Sequence, residues 1–200
     1  MQSHLAQSLP SAWVSRFADL IAHGLVLDLA CGGGRHSRLL AEMGHQVLAI
    51  DRDDSALMAL QTPASPAIST LCFDLEDEHA ATHPDWPFTA GRFTGIVITN
   101  YLHRPLFDAI FTSLADGGVL IMETFAQGNG RFGKPSNHAF LLAQGELLEI
   151  VCGKPDLRVI AFEDGYIDKP KPAMVQRICV RKSGIEPEAA QVKLRSGIKL

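Results

Sequence analysis

Residues 25–44, LVLDLACGGGRHSRLLAEMG, run from an apolar β-patterned stretch through consecutive glycines into a helical pattern. A strand, a tight turn and a helix in that order open a βαβ unit. Gly32, Gly33 and Gly34 stand where a backbone must approach a ligand closely, and the first N–H groups of the helix face the same space. The alternation continues along the chain. Strands are expected over 25–30, 46–51, 67–75, 93–100 and 118–125, with helices over 34–43, 53–60 and 105–114. An amphipathic helix over 11–22, with Trp13, Phe17, Leu20 and Ile21 at helical spacing, lies beside the sheet, and a later helix includes 146–151.

Two further β-patterned stretches, 157–167 and 174–182, are separated only by DKPKP. A link that short makes no parallel crossover, so these strands are antiparallel neighbours. The pattern predicts an α/β fold with a doubly wound, mostly parallel sheet, helices on both faces and one reversed strand. Residues 76–92 read as an acidic, Pro-containing connection. AQGNGRFGKPSNH, residues 126–138, reads as too Gly-rich and polar to pack, and long enough for a lid or substrate loop.

With 200 residues and 46% hydrophobic content, the chain suits one domain over 1–182. A basic tail follows over 183–200, as a terminal helix or a disordered segment. Residues 169–200 hold eight Lys and Arg against Glu186 and Glu188, although the whole chain carries −4. No apolar run approaches the ~20 residues that span a bilayer, and the N-terminus has no signal-peptide pattern, so a cytoplasmic protein without a membrane partner is expected. Cys31, Cys72, Cys152 and Cys179 show no paired spacing and read as reduced thiols. His79 and His83 stand four apart, but Pro84 points to a loop, and no metal is expected.

Dinucleotide sites place a phosphate at the helix N-terminus after the Gly turn and avoid fixed negative charge on the strand before it. Asp28 occupies that strand end and Ser37 replaces the third glycine of the fingerprint, which disfavours a nicotinamide dehydrogenase. A ligand ammonium group suits Asp28 better. Asp51 ends the second strand, where a carboxylate accepts from both ribose hydroxyls. Asp74, at the end of the third, suits an adenine amino group, with Leu75 beside the ring.

DLACGGGRHSR, then Asp51, then FDL, resemble the S-adenosylmethionine (SAM) motifs of class I methyltransferases, over residues 25 to about 182. The resemblance implies a Rossmann-like seven-stranded sheet with the last strand antiparallel, and SAM as cofactor. It places Asp28 and Ala30, Cys31, Gly32, Gly33 and Gly34 around the methionyl part, Asp51 on the ribose, and Asp74 and Leu75 on the adenine. Arg52 and Asn100 complete the implied cofactor set. GRHS and the compact length resemble the bacterial small-molecule group that includes thiopurine and tellurite methyltransferases.

In open α/β sheets ligands sit beyond the carboxyl ends of the strands, so an acceptor is expected among residues 100–105, 124–135 and 168–172. Arg104, Arg131, Lys134, Lys169 and Lys171 are the cations of these loops, and an anionic small acceptor fits them. Tyr101 and His103 are the candidate proton acceptors, His103 serving equally well as a helix cap. Glu123 is a candidate pocket residue, or else a buried structural one. His36 either touches the methionyl carboxyl group or faces solvent. Asn100-Tyr101 only partly matches the Asn-Pro-Pro-Tyr pattern of exocyclic-amine methyltransferases, because Leu102 and His103 follow. RNA or protein methylation, and SAM binding without chemistry, stay open as alternatives.

Overall fold

The structure is a computed structural model that describes residues 9–61, 65–76 and 86–183. The elements in chain order are α1 (Ala12–Phe17), β1 (Leu25–Leu29), α2 (Arg35–Glu42), β2 (Gln46–Asp51), α3 (Asp54–Leu60) and β3 (Ile68–Cys72). There follow β4 (Phe93–Thr99), α4 (Phe107–Ser113), β5 (Leu114–Phe125), α5 (Glu146–Cys152), β6 (Leu157–Ile167) and β7 (Ala173–Lys182). The strands form one seven-stranded sheet in the order β3-β2-β1-β4-β5-β7-β6. Neighbours from β3 to β5 are parallel, and β7 is antiparallel to both β5 and β6. This is the doubly wound, Rossmann-like sheet with a reversed strand that the pattern predicts, and the five residues 168–172 make the reversal as their length requires.

The period-two alternation of strand side chains divides the core between the two faces of the sheet. Leu27, Leu29, Ile96, Ile98, Leu120, Met122, Ile178 and Val180 pack on one face with Leu106, Phe107, Ile110 and Phe111 of α4 and the turn before it, and with Leu147 and Val151 of α5. Val26, Val97, Val119, Ile121 and Cys179 point the other way, against Trp13, Val14 and Phe17 of α1 and Leu40 of α2. The indole N–H of Trp13 donates to the Ile178 carbonyl at 3.3 Å, which ties α1 to the far side of the sheet.

Some boundaries differ from the sequence reading for visible reasons. α1 ends at Phe17 and tightens into a 3-10 turn over Ala18–Leu20, which still buries Ala18 and then Ile21. β3 stops at Cys72, because the Asp74 carboxylate accepts from the Glu76 N–H at 2.9 Å and sets a local turn that competes with the ladder. β5 begins at Leu114, which pairs with Phe93 before a register shift brings Val119 opposite Gly95.

In the 126–138 segment Ala126 and Asn129 are buried and most of the other residues are exposed, so the loop is anchored at one point and otherwise lies on the surface. Buried Asn129 donates from Nδ2 to the Pro135 carbonyl at 3.0 Å and accepts at Oδ1 from the Met174 N–H at 3.2 Å. One buried amide thus fastens a Gly-rich loop to β7. His79, His83 and residues 184–200 lie outside the described residues, as does most of the expected 76–92 connection. Among the described residues no cluster of three metal-ligating side chains occurs and no helix is long and apolar enough to cross a membrane. All four cysteines are free thiols.

Candidate active site

The chain moves outward from β1 to β3 and returns to β4 on the other side of β1, so the crevice between β1 and β4 opens at the carboxyl ends of the strands. Among the described residues two other than glycine hold positive φ, Ala30 at 52° and Asn100 at 57°, and they stand directly after β1 and β4. Such backbone costs free energy and persists where its surroundings over-determine it. Here the Asn100 N–H donates to the Glu123 carbonyl at 2.9 Å, and the Cys31 N–H to Ile50 at 3.0 Å.

The three glycines do different things. Gly32 and Gly34 take φ of 52° and 70°, which L side chains rarely adopt. A Cβ on Gly34 would stand 2.3 Å from Leu60 Cδ1, so this glycine lets α2 lie close to α3. A Cβ on Gly32 or Gly33 would meet nothing within 4 Å. Both line the cleft, so a side chain there would occupy ligand space. Asp51 braces the turn from β2: Oδ2 accepts from the Gly32 N–H at 2.7 Å and Oδ1 from the Asp53 N–H at 2.9 Å. Arg38 donates to the Gly33 carbonyl at 2.6 Å and to Ala59 at 3.4 Å, closing the turn from the other side.

Asp28 does not face this crevice. Alternation along β1 sends it to the same face as Val26, beneath α2, where it is 1% exposed and accepts from Ser37 Oγ at 2.5 Å. Burial pushes its carboxyl up to about 6, against the lowering effect of the Ser37 hydrogen bond. Asp28 therefore anchors the first turn of α2 and does not line the cleft. Asp74 and Leu75 lie beyond β3; Asp74 is exposed and Leu75 half-buried against the core. Arg52 is exposed beside Asp51. Of the implied cofactor set, Ala30, Cys31, Gly32, Gly33 and Asn100 line the main cleft, whereas Asp28, Gly34, Asp51, Arg52, Asp74 and Leu75 do not.

That cleft has a volume of about 870 Å³ and runs from the Gly turn to the mouth of β5, β6 and β7. Leu9, Pro10, Ser11 and Ala12 form one wall, which the sequence reading missed. Ser11 fastens it: its N–H donates to His36 Nε2 at 3.0 Å and its Oγ to Glu123 Oε1 at 2.9 Å. His36 is 1% exposed, so it neither faces solvent nor enters the cleft. Burial, helped by the Arg35 charge, pushes His36 down to about 3. It is neutral, and with Nε2 accepting, its proton rests on Nδ1, 3.5 Å from Thr99 Oγ1.

Glu123 both lines the cleft and carries a structural load, since Oε2 also stands 3.5 Å from Arg177 Nη1. Arg177 reaches Glu163 at 3.4 Å and lies over the Trp13 ring at 5.4 Å. A charge in the middle of the apolar MVQRICV strand was the signal for Arg177, and GRHSR for Arg35 and Arg38, which also line the cleft.

The expected acceptor cations divide. Lys169 and Lys171 line the cleft. Arg104 does not, because Nε and Nη2 clamp Glu146 at 2.6 and 3.0 Å while the guanidinium also donates to the Ala139 and Leu141 carbonyls. Arg131 and Lys134 are exposed on the 126–138 segment and do not line it either. His103 takes the N-cap position of the 3-10 turn Arg104–Leu106 without a side-chain cap bond, and lies outside the cleft lining. The Tyr101 hydroxyl is buried, and Glu76 is the polar side chain beside it. Burial, the charge of Glu76 with its hydrogen bond, and the charge of Asp74 raise its pKa, which favours the protonated phenol.

A second cleft, of about 730 Å³, lies at the opposite end of the sheet between the starts of β5 and the end of β7. Its Lys182 donates to the Phe111 and Leu114 carbonyls at 3.1 and 2.9 Å, and its Lys154 pairs with Asp108 at 2.7 Å. The Lys182 contacts cap the end of α4, and the Lys154 pair lies at its first turn.

Residues 26–118 match a family described as methyltransferase domain. The chain is 32% identical over 132 residues to a ubiquinone biosynthesis O-methyltransferase of Psychrobacter arcticus, covering 60% of this chain and 46% of that protein. It spans about half the length of the curated relatives it matches. TehB from Haemophilus influenzae superposes with a TM-score of 0.68 at 21% identity, over 87% of this chain and 63% of that one. A Burkholderia thailandensis 1,6-didemethyltoxoflavin-N1-methyltransferase, solved with 1,6-didemethyltoxoflavin and S-adenosylhomocysteine bound, gives a TM-score of 0.60 at 18% identity, over 91% of this chain and 76% of that one. At such identities the two structures share the fold.

Proposed function

We propose that the chain is a class I SAM-dependent methyltransferase and that it transfers the methyl group of SAM to a small-molecule acceptor held in the cleft beyond β1, β4 and β5, a reading supported by the methyltransferase-domain match over residues 26–118 and the shared fold. The observation that carries this reading is the positive-φ turn Ala30–Gly34, braced by Asp51 and opening onto a cleft walled by residues 9–12. The open space over Gly32 and Gly33 fits a ligand laid against backbone. In this reading the turn holds the methionyl part and Asp51 receives the ribose hydroxyls with lone pairs that the Gly32 and Asp53 amides leave free. Asp74 and Leu75 take the adenine, with Arg52 and Asn100 at its borders. Asp28 acts through Ser37 by positioning α2.

SAM supplies a methyl carbon bonded to a sulfonium: an acceptor lone pair forms the new bond, the carbon–sulfur bond breaks, and its electron pair stays on sulfur. What this chain adds is alignment of the two partners and exclusion of water. In this reading neither Tyr101, whose protonated form is favoured, nor His103, outside the lining, takes a proton from the acceptor. Glu123 is the one carboxylate among the described lining residues, and it is engaged by Ser11 and Arg177. The chemistry therefore suits an acceptor that arrives already unprotonated at the reacting atom.

The test is product formation from methyl-labelled SAM with a panel of small thiols, phenols and carboxylic acids, beside short RNA. Label transfer to a small molecule above a protein-free control supports the reading. Transfer only to RNA or to protein overturns the acceptor class, and tight SAM binding with no product from any acceptor supports a SAM-binding protein without chemistry.

A further inference from the structure

The described lining of the main cleft contains five cations, Arg35, Arg38, Lys169, Lys171 and Arg177, against the single carboxylate of Glu123. Among the described residues two of those cations, Lys169 and Lys171, are uncommitted, and a third, Arg177, is ion-paired but leaves one N–H without a hydrogen bond. Arg38 is taken by the Gly33 and Ala59 carbonyls, and Arg35 reaches the Leu9 carbonyl at 3.4 Å on the wall. Lys169 and Lys171 make no ion pair or hydrogen bond with any described residue. Arg177 has two carboxylates at 3.4 and 3.5 Å, yet its buried Nε–H makes no hydrogen bond with a described residue. These three stand at the β6–β7 end of the cleft, away from the Gly turn.

The same end is apolar between its charges. Phe125, Ile167 and Val175 line it, with Leu9 and Pro10 on the opposite wall. An inorganic oxyanion would satisfy the cations and leave those surfaces wet, whereas a neutral apolar acceptor would cover them and leave the cations without a counter-charge. A cationic acceptor meets like charge. The wall of residues 9–12, pinned by Ser11 to both His36 and Glu123, limits the size of what can enter.

Resting on the methyltransferase reading of the site, we propose that the acceptor is an amphipathic organic anion, its charged group on Lys169, Lys171 and Arg177 and its apolar body on Phe125, Ile167 and Val175. Lys169 and Lys171 are then specificity-determining residues. They lie on the exposed 168–172 turn, where neither contributes to the core and a substitution leaves the fold intact.

The experiment is calorimetric titration of the full chain saturated with S-adenosylhomocysteine. The probes are 2-naphthoate, phenylacetate and hexanoate, each beside its methyl ester, and sodium tellurite. The expected result is at least one carboxylate bound about tenfold or more tighter than its ester, the scale of one well-placed ion pair. That preference is expected to vanish in the K169Q/K171Q double variant while the affinity for S-adenosylhomocysteine is unchanged. Equal binding of esters and carboxylates, binding of tellurite alone, or no binding of any carboxylate at millimolar concentration overturns the proposal. So does a carboxylate preference that survives in the double variant. Absence of any heat with S-adenosylhomocysteine itself overturns the underlying reading of the cleft, and is seen before a probe is added.

Discussion

The two ends of the cleft are built by different means. At the β1 end the surface is backbone: Ala30 and Gly32 at positive φ, Gly33 with open space above it, and a carboxylate from β2 on the Gly32 amide. At the β5–β7 end the surface is side chain, assembled from residues 9–12, Glu123, Phe125, Ile167, Lys169, Lys171 and Arg177. The first end depends on conformations that few residues can adopt. The second depends on which side chains distant segments bring together, and it can change chemistry without changing the fold. A cofactor common to a family belongs at the first end and an acceptor particular to one member at the second.

Substitutions at the backbone end should separate folding from binding. Gly34→Ala combines a φ of 70° with a Cβ 2.3 Å from buried Leu60, so it should lower unfolding free energy by about 2–5 kcal/mol in a denaturant titration. A loss under about 1 kcal/mol would mean that α2 and α3 are not held close by this glycine. Asp51→Ala removes the brace on Gly32 and the proposed ribose acceptor, and should weaken SAM by about 1.5–3 kcal/mol. Unchanged affinity would remove the ribose from Asp51. Gly33→Ala sharpens the contrast, because its φ is ordinary and its Cβ meets nothing within 4 Å. Stability should stay within about 0.5 kcal/mol of the parent while S-adenosylhomocysteine affinity falls about tenfold. Equal loss of both would place the new methyl group in the protein interior and not in the cleft.

A pH dependence is partly hidden by two buried groups. His36 sits at about 3 in the fold against an ordinary 6.5, so its contribution to stability is present above about 6.5 and is lost as pH falls toward 3. Asp28 sits at about 6 against 3.8, so its contribution is present below 3.8 and is lost as pH rises through 6. Between about pH 4 and 6 the two slopes oppose each other. Asp28→Asn should therefore unmask a fall in stability on acidification, by at most about 1.4 kcal/mol per pH unit relative to the parent. Parallel profiles for the two proteins across that range would show that Asp28 is not buried as described.

Legibility in the sequence follows the range of the interactions. Gly32–Gly34 and the position of Asp51 are readable because a tight turn, a helix start and a strand end are local events. The reversed strand is readable because five residues are too few for a crossover. The direction of Asp28 is not, since alternation can send a strand residue under a neighbouring helix instead of out of the strand's end. Arg104 reads as a rim cation until the fold brings Glu146, 42 residues later, onto its guanidinium. The wall at Leu9–Ala12 depends on a hydrogen bond between Ser11 and Glu123, 112 residues apart, which no window of sequence displays. The anchoring of the 126–138 segment likewise depends on Asn129 meeting Met174 across 45 residues.

The central claim is that the Gly turn and its cleft hold SAM, and calorimetric titration of the purified chain with S-adenosylhomocysteine, with NAD run beside it, tests it most directly. The account predicts one-to-one binding of S-adenosylhomocysteine, weakened by Gly33→Ala, and no heat from NAD. Binding of NAD in its place, or S-adenosylhomocysteine affinity indifferent to Gly33→Ala, would contradict it.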